Sequence, residues 1–305
     1  MDGSIGHLQA KFTRSRSTRA RAMSNGKGFS VRIFIPSGEP EGLRIIEKSN
    51  WSGLGVIFPR ASLPEARKRE EIRRTGVYIL WGPSEESEMP RVYIGQGDNV
   101  LQRIEQHARQ KDFWTHAAVF TSKDLNLNRA HVQYIEARLV ALAAEAKRAE
   151  LDNSNVPQEP SLSEADRTDA EAFLQDMLLC LPLVGANFFE KPRLDPKGKR
   201  DLFIKSKGIE ARGVDGIEGF TVRAGSKVVK QEMSSTHAYV RRIRAALVKQ
   251  GVLVDRGDFY EFAQDYVFNS PSTAASVVLG HSANGRTAWK DASGRTLKEI
   301  QGGAQ

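Results

Sequence analysis

The chain of 305 residues has a single cysteine, no long apolar run and no apolar signal-peptide core. One cysteine cannot form an intrachain disulfide, and it excludes a zinc site built from several cysteines. A membrane helix needs about 20 consecutive apolar residues, which no stretch supplies. We therefore expect a soluble, cytoplasmic protein with no membrane partner. Cys180 lies in an apolar run and is interpreted as a small buried hydrophobic residue.

The excess of positive charge is concentrated at one end of the chain. Of the formal net charge of +8, residues 1–27 contribute +5 and the remainder +3. This Ser/Arg/Gly-rich segment holds too little apolar surface to order itself, so we expect a disordered basic tail, and Met23 offers an alternative start within it. The charge therefore indicates a nucleic-acid partner only weakly.

The hydrophobic pattern divides the rest of the chain into two units separated by a linker. Alternating residues predict a β-rich N-terminal lobe over residues 28–69, with residues 42–48 as either strand or helix. A second α/β region follows at residues 70–190. Residues 191–200 have linker composition, and residues 201–295 read as a small α+β accessory domain ahead of a polar tail.

Within residues 70–190, strands and helices alternate. Strands are predicted at residues 76–80, 91–95 and 113–121. Three polar residues are predicted helix caps: Asp98 for a helix to about Arg109, Asn128 for one to about Glu150, and Ser163 for a third.

The first two of these strands each carry a central tyrosine, Tyr78 and Tyr93. Each tyrosine has the opposite parity to its aliphatic neighbours, so both rings lie on one face of a hairpin if the aliphatic residues face the core. Aromatic residues are also common in strands for packing alone.

Two candidate phosphate-binding residues, Arg103 and His107, share one face of the next helix because they are four residues apart. A guanidinium binds two phosphate oxygens, and an imidazole donates or accepts a proton near neutral pH. A solvated helix face explains the same pair.

A carboxylate, Glu136, interrupts the apolar stripe of the following helix. A buried carboxylate needs a cation, strong hydrogen bonds or a place at the rim of a cleft. A divalent metal would satisfy it, and so would one of the many arginines.

Together these residues resemble the GIY-YIG nucleases, a family of homing, restriction and repair endonucleases. The resemblance rests on Gly76-Val77-Tyr78, Tyr93-Ile94-Gly95, Arg103, His107, Glu136 and a nearby asparagine. The chain departs from the family pattern in having Val77 for isoleucine and a longer loop, 14 residues, between the tyrosines.

The resemblance implies an α/β (α+β) core of three antiparallel strands flanked by helices, and metal-dependent cleavage of DNA. It implies that Glu136 binds Mg²⁺ or Mn²⁺, and that Tyr78 acts as general base or orients the attacking water. Tyr93 would position the scissile phosphate, Arg103 would stabilise its charge, and His107 would assist proton transfer or phosphate binding. The resemblance also implies a site asparagine after the Glu136 helix, for which Asn153 is the better match and Asn155 the alternative.

The C-terminal region resembles an uncharacterised domain that often follows such nucleases. Its residues 270–275, with Asn284-Gly285 and Trp289, are similar to a module associated with restriction enzymes and thought to contact DNA, although a helix cap and a core tryptophan explain them equally. A helix there carries Arg241, Arg242, Arg244 and Lys249, which form either a basic stripe or a solvated face.

The prediction is therefore a metal-dependent DNA endonuclease with a DNA-binding accessory domain. The leading alternative is a non-catalytic or regulatory nucleic-acid-binding protein that retains the fold. An RNA-directed protein would be expected to show aromatic platforms that the sequence lacks. The sequence leaves homo-oligomer formation open.

Overall fold

The structure is a computed structural model that describes residues 28–85, 89–124, 126–190, 200–206, 208–216, 219–233 and 236–302. The predicted basic tail lies outside these residues, as does the predicted linker except for Arg200.

The N-terminal part is built around one seven-stranded sheet. Its strands are β1 (Val31–Phe34), β2 (Arg44–Lys48), β3 (Gly53–Pro59), β4 (Gly76–Pro83), β5 (Pro90–Gly97), β6 (His116–Ser122) and β7 (Glu150–Leu151). They are ordered β1-β2-β3-β6-β4-β5-β7, and only the β5–β7 pair is parallel. The three strands predicted for the core are adjacent at β6-β4-β5. Because β3 pairs with β6, the predicted N-terminal lobe continues the same sheet.

Helices cover both faces of this sheet. They are α1 (Leu63–Ala66), α2 (Val100–Gln110), α3 (Arg129–Ala146) and α4 (Glu164–Cys180). The predicted caps Asn128 and Ser163 accept backbone N–H bonds at the starts of α3 and α4. The predicted cap of α2 was wrong by one residue. Asn99, and not Asp98, accepts the hydrogen bond from the Gln102 N–H.

The pleat of the sheet separates two apolar layers. Val77, Ile79, Val92 and Ile94 pack with the apolar residues of α3 and α4, and Cys180 is fully buried in this layer, as predicted. The opposite face holds Tyr78 and Leu80 against Val100, Leu101 and Ile104 of α2. Strand alternation therefore directs both tyrosines toward α2.

The C-terminal part is a separate α+β unit with two small sheets. One sheet is ordered β14-β10-β9-β8 from β8 (Leu202–Ser206), β9 (Ile209–Asp215), β10 (Phe220–Val222) and β14 (Tyr266–Phe268). The other is ordered β11-β13-β12 from β11 (Lys227–Val229), β12 (Leu253–Asp255) and β13 (Phe259–Phe262). The helices are α5 (Ala238–Lys249), α6 (Pro271–Leu279), α7 (Gly285–Ala288) and α8 (Leu297–Gly302).

The protein is thus mixed α+β, as predicted from its sequence. Its described residues form eight α-helices and three sheets. None of these helices combines the length and apolarity required to cross a bilayer.

Residues near α6 and α7 have clear structural roles. Ser270 caps α6 and Asn284 caps α7 by accepting backbone N–H bonds. The fully buried Trp289 donates from Nε1 to the Pro271 carbonyl at 3.0 Å. The helix-cap and core-tryptophan interpretation is therefore confirmed. The predicted polar tail was wrong in part, because α8 lies there and buries Leu297.

The two parts of the chain are in direct contact. Met89, in the connection between the tyrosine strands, is buried with the C-terminal core. The Lys147 Nζ donates to the Gly251 carbonyl at 3.2 Å, and the Gln264 side chain donates to the Ala146 carbonyl at 3.2 Å. The end of α3 and the tyrosine hairpin therefore both adjoin the C-terminal unit.

The tight packing of α7 on α6 predicts that Gly285→Ala destabilises the C-terminal unit. An added Cβ would lie 2.1 Å from backbone atoms of Pro271, which cannot rotate away. We expect a loss of roughly 1–3 kcal/mol in the free energy of unfolding, measured by denaturant titration. The control is Gly302→Ala, where a Cβ meets open space. Equal stability of the two variants would contradict this packing.

Candidate active site

The two tyrosines meet His107 on the face of the sheet covered by α2. The register pairs Tyr78 with Gly95 and Leu80 with Tyr93, so the tyrosines are diagonal neighbours with ring centroids 6.1 Å apart. The His107 ring lies 5.8 Å from the Tyr78 ring and 4.6 Å from the Tyr93 ring. The Tyr78 hydroxyl and His107 Nε2 form a hydrogen bond of 2.9 Å.

Three glycines make room for this arrangement. A Cβ on Gly95 would lie 2.4 Å from the Tyr78 hydroxyl oxygen, and one on Gly97 would lie 2.9 Å from the Arg103 Cγ. A Cβ on Gly76 would lie 2.5 Å from the Phe120 carbonyl oxygen in the neighbouring strand. These three glycines are therefore needed because neighbouring atoms approach the backbone closely, and not because the backbone angles are unusual.

Burial sets the protonation states of Tyr78 and His107. Tyr78 is fully buried, and desolvation raises its pKa well above the usual range, although the Arg103 charge opposes this rise. Desolvation, with the charges of Arg103 and Lys111, lowers the pKa of His107 to about 4. His107 is therefore neutral at pH 7, and its buried Nδ1 has no hydrogen-bond partner among the described residues.

The candidate metal ligand, Glu136, is half-buried on α3 and interacts with the charge of Arg103 from α2. Burial raises the pKa of Glu136 to about 7, and Arg103 lowers it by a smaller amount. Arg103 itself is exposed, and its guanidinium donates to the Gln106 side chain at 3.1 Å. The arginine thus faces solvent while its charge acts on Tyr78, His107 and Glu136.

The donor set at Glu136 fits a hydrated Mg²⁺ or Mn²⁺ rather than an ion enclosed by protein. Among the residues that the structure describes, none gives Glu136 a hydrogen bond or ion pair, and no group of three histidine, cysteine or acidic side chains could hold a metal. Mg²⁺ often binds through one carboxylate, with water and substrate phosphate as its other ligands. Glu136 would hold such an ion.

The predicted asparagine, Asn153, binds the backbone of β5 instead of pointing at the other site residues. Its side-chain oxygen accepts from the Ile94 N–H at 3.0 Å, and its amide donates to the Ile94 carbonyl at 2.8 Å. Both ends of the amide are therefore used next to Tyr93. The alternative, Asn155, is exposed.

Two charged residues that the sequence did not single out border Tyr93. The Lys111 Nζ lies 4.6 Å from the centre of the Tyr93 ring and forms an ion pair with Asp152 at 2.5 Å. The other oxygen of Asp152 accepts from the Arg91 Nε at 2.8 Å. Lys111 lies four residues after His107, so helical spacing alone could have placed it next to His107. Nothing local indicated that Asp152 would lie against it.

The predicted basic stripe on α5 does not form as a continuous exposed surface. Arg241, Arg242 and Lys249 are exposed, but Arg244 is buried. The Arg244 guanidinium donates to the carbonyl oxygens of Val277 and Val229 at 2.5 and 2.6 Å. This arginine therefore links α6 to β11.

Comparison with known proteins identifies only the C-terminal region. Residues 202–301, about a third of the chain, match the model of a family described as a domain of unknown function (DUF4357). Neither the comparison with curated proteins nor that with solved structures finds a match. The matched region coincides closely with the predicted accessory domain, for which a domain of uncharacterised function was expected.

The raised pKa of Glu136 predicts a pH-dependent gain in stability for Glu136→Gln in metal-free buffer. Between the ordinary glutamate pKa of 4.5 and the folded-state value of about 7, the native protein binds more protons than the unfolded chain, so wild-type stability falls as the pH rises. We expect the variant to gain roughly 2 kcal/mol at pH 8 and little at pH 4.5.

Chemical denaturation across this pH range measures the difference. The control is Glu145→Gln, which removes an exposed carboxylate from the same helix. A constant offset between Glu136→Gln and wild type at every pH would show that Glu136 ionises normally.

Proposed function

We propose that the chain is a metal-dependent endonuclease that hydrolyses DNA phosphodiester bonds in the cytoplasm, with residues 28–190 as its catalytic unit. The observation that carries the proposal is the hydrogen bond between Tyr78 and a neutral His107, with the charge of Arg103 acting on Tyr78, on His107 and on the half-buried Glu136. The resemblance of these residues to the GIY-YIG nucleases supports the same chemistry.

Proton transfer is the proposed role of Tyr78 and His107. An isolated Tyr78 ionises with difficulty because it is buried, but His107 Nε2 lies 2.9 Å away and is unprotonated at neutral pH. As the Tyr78 hydroxyl oxygen takes a proton from the attacking water, Tyr78 passes its own proton to His107. No tyrosinate has to form in advance, which removes the difficulty of a high phenol pKa.

Charge stabilisation is the proposed role of the remaining residues. Arg103 is exposed and would contact the scissile phosphate, where its charge compensates the charge that develops during attack. Tyr93 is half-buried beside His107 and would border the bound phosphate. A divalent ion held by Glu136 would act as a Lewis acid on the phosphate.

One observation favours the second candidate, a nucleic-acid-binding protein without turnover. Tyr78 is fully buried, so water reaches its hydroxyl only if the neighbouring side chains move. The accessory domain of residues 201–295 is a DNA-binding element in either proposal. Cleavage assays separate the two candidates.

Replacing the metal ligand, Glu136→Ala, is predicted to reduce cleavage by at least about a hundredfold, because the ion loses its carboxylate ligand. The assay uses single-stranded, double-stranded and branched DNA with Mg²⁺, Mn²⁺ or chelator. Glu145→Ala, on the same helix, is the control and retains activity. A Glu136→Ala protein that cuts as fast as wild type would refute the site, and inactivity of wild type on every substrate would favour the binding protein.

Removing one hydroxyl, Tyr78→Phe, is predicted to reduce single-turnover cleavage by about a hundredfold or more while leaving DNA affinity within about twofold. The matched control is Tyr134→Phe, because the Tyr134 hydroxyl also donates a hydrogen bond, to Glu171 at 3.1 Å, away from the site. Both variants are expected to lose about 1 kcal/mol of stability. Equal cleavage rates for the two would assign Tyr78 a structural role only.

A further inference from the structure

A cleft of about 410 Å³ opens where α3 and β7 of the N-terminal part face α5 of the C-terminal unit. Its floor consists of small or apolar residues, four alanines and one leucine. Ligand sites occur preferentially at such junctions, and this volume lies within the ordinary range for small-molecule pockets. The cleft is separate from the face of the sheet that holds Tyr78 and His107.

The cleft is lined by three cationic side chains from three different elements. Arg91 comes from β5, Lys147 follows α3, and Lys249 ends α5. The one acidic residue in the lining, Glu150, accepts a hydrogen bond of 2.6 Å from the Ser84 hydroxyl. The lining side chains alone sum to +2, and Asp152, which lies outside the lining, forms an ion pair with Arg91, so the remaining excess of cations favours an anion.

The donors of two of these cations are only partly used by the protein. The Lys147 Nζ donates to the Gly251 carbonyl at 3.2 Å, and an ammonium has three donors. The Arg91 guanidinium directs Nε and one terminal nitrogen to Asp152, which leaves its other terminal nitrogen for a ligand. A phosphate offers several acceptor oxygens to such donors.

One polar atom in the lining favours a ligand that also carries a donor. The buried Oε1 of Gln250 has no hydrogen-bond partner among the described residues. A buried acceptor without a partner is costly, and a ligand N–H or O–H would satisfy it once the Gln250 side chain turns into the cleft. Inorganic phosphate in its fully ionised form would not do so, whereas a nucleotide carries amino and hydroxyl donors.

We infer that this cleft is a binding site for a nucleotide phosphate, supplied either by a free mononucleotide or by the backbone of a DNA strand. Arg91, Lys147 and Lys249 bind the phosphate, and Gln250 accepts a hydrogen bond from the sugar or base. The inference concerns binding only and does not require the chain to cleave DNA.

The site is tested with full-length protein carrying Glu136→Ala, in chelator, so that no cleavage occurs. The probes are dAMP, deoxyadenosine without phosphate, and a labelled DNA duplex, measured by calorimetry and fluorescence anisotropy. Lys249→Gln removes a cation from the cleft, and Ala144→Glu places a carboxylate in its floor. The control is Arg242→Gln, which makes the same charge change on an exposed position of α5 outside the cleft.

We expect Lys249→Gln and Ala144→Glu each to weaken binding by about tenfold, and Arg242→Gln by less than about twofold. If the Glu136→Ala parent protein binds dAMP, and deoxyadenosine about tenfold less tightly, the phosphate comes from a free nucleotide. If only the duplex binds and the same variants weaken it, the phosphate comes from DNA. Absence of binding to both phosphate probes overturns the inference, as does equal weakening by Arg242→Gln.

Discussion

The antiparallel register of β4 and β5 is the constraint on which the candidate site depends. It sets Tyr78 opposite Gly95. Because glycine has no side chain, Gly95 leaves room for the Tyr78 hydroxyl. The hydroxyl then reaches His107 on α2 at 2.9 Å. A shift of β5 by one residue against β4 would move Tyr93 to the opposite face of the sheet, away from Tyr78 and α2. Backbone pairing thus determines which side chains can exchange protons.

Desolvation is the second determinant of the site, and it acts on each titratable group in the direction that disfavours charge. It raises the pKa values of Tyr78 and Glu136 and lowers that of His107. Arg103 opposes the first two shifts and reinforces the third, because it is cationic. The result is a neutral Tyr78–His107 pair and, on α3, a carboxylate whose charged form is disfavoured by burial. Binding of the proposed divalent cation would favour the charged form of Glu136.

The contact between the two parts of the chain links this site to the C-terminal unit. Met89 ends the long connection between the tyrosine strands and is buried in the C-terminal core, so the extra loop length has a structural use. Asp152 lies between the candidate site and the cleft and forms ion pairs with a cation on each side. One of its oxygens binds Arg91 at the cleft, and the other binds Lys111, which lies over the Tyr93 ring. Asp152 therefore connects one cation of the cleft, Arg91, with Lys111 beside the candidate site.

Local patterns in the sequence determined the strands and helices around the candidate site, the caps at Asn128 and Ser163, the parity of the tyrosines and the position of Glu136 in an apolar stripe. These follow from strand and helix periodicity, which depend on neighbouring residues alone. Only the tertiary structure decided that Asn153 binds the Ile94 backbone and that Arg244 is buried against carbonyl oxygens. It also decided the protonation states of Tyr78 and His107, because desolvation depends on every element packed around a group. Periodicity indicates which face of an element a residue lies on, but not what covers that face.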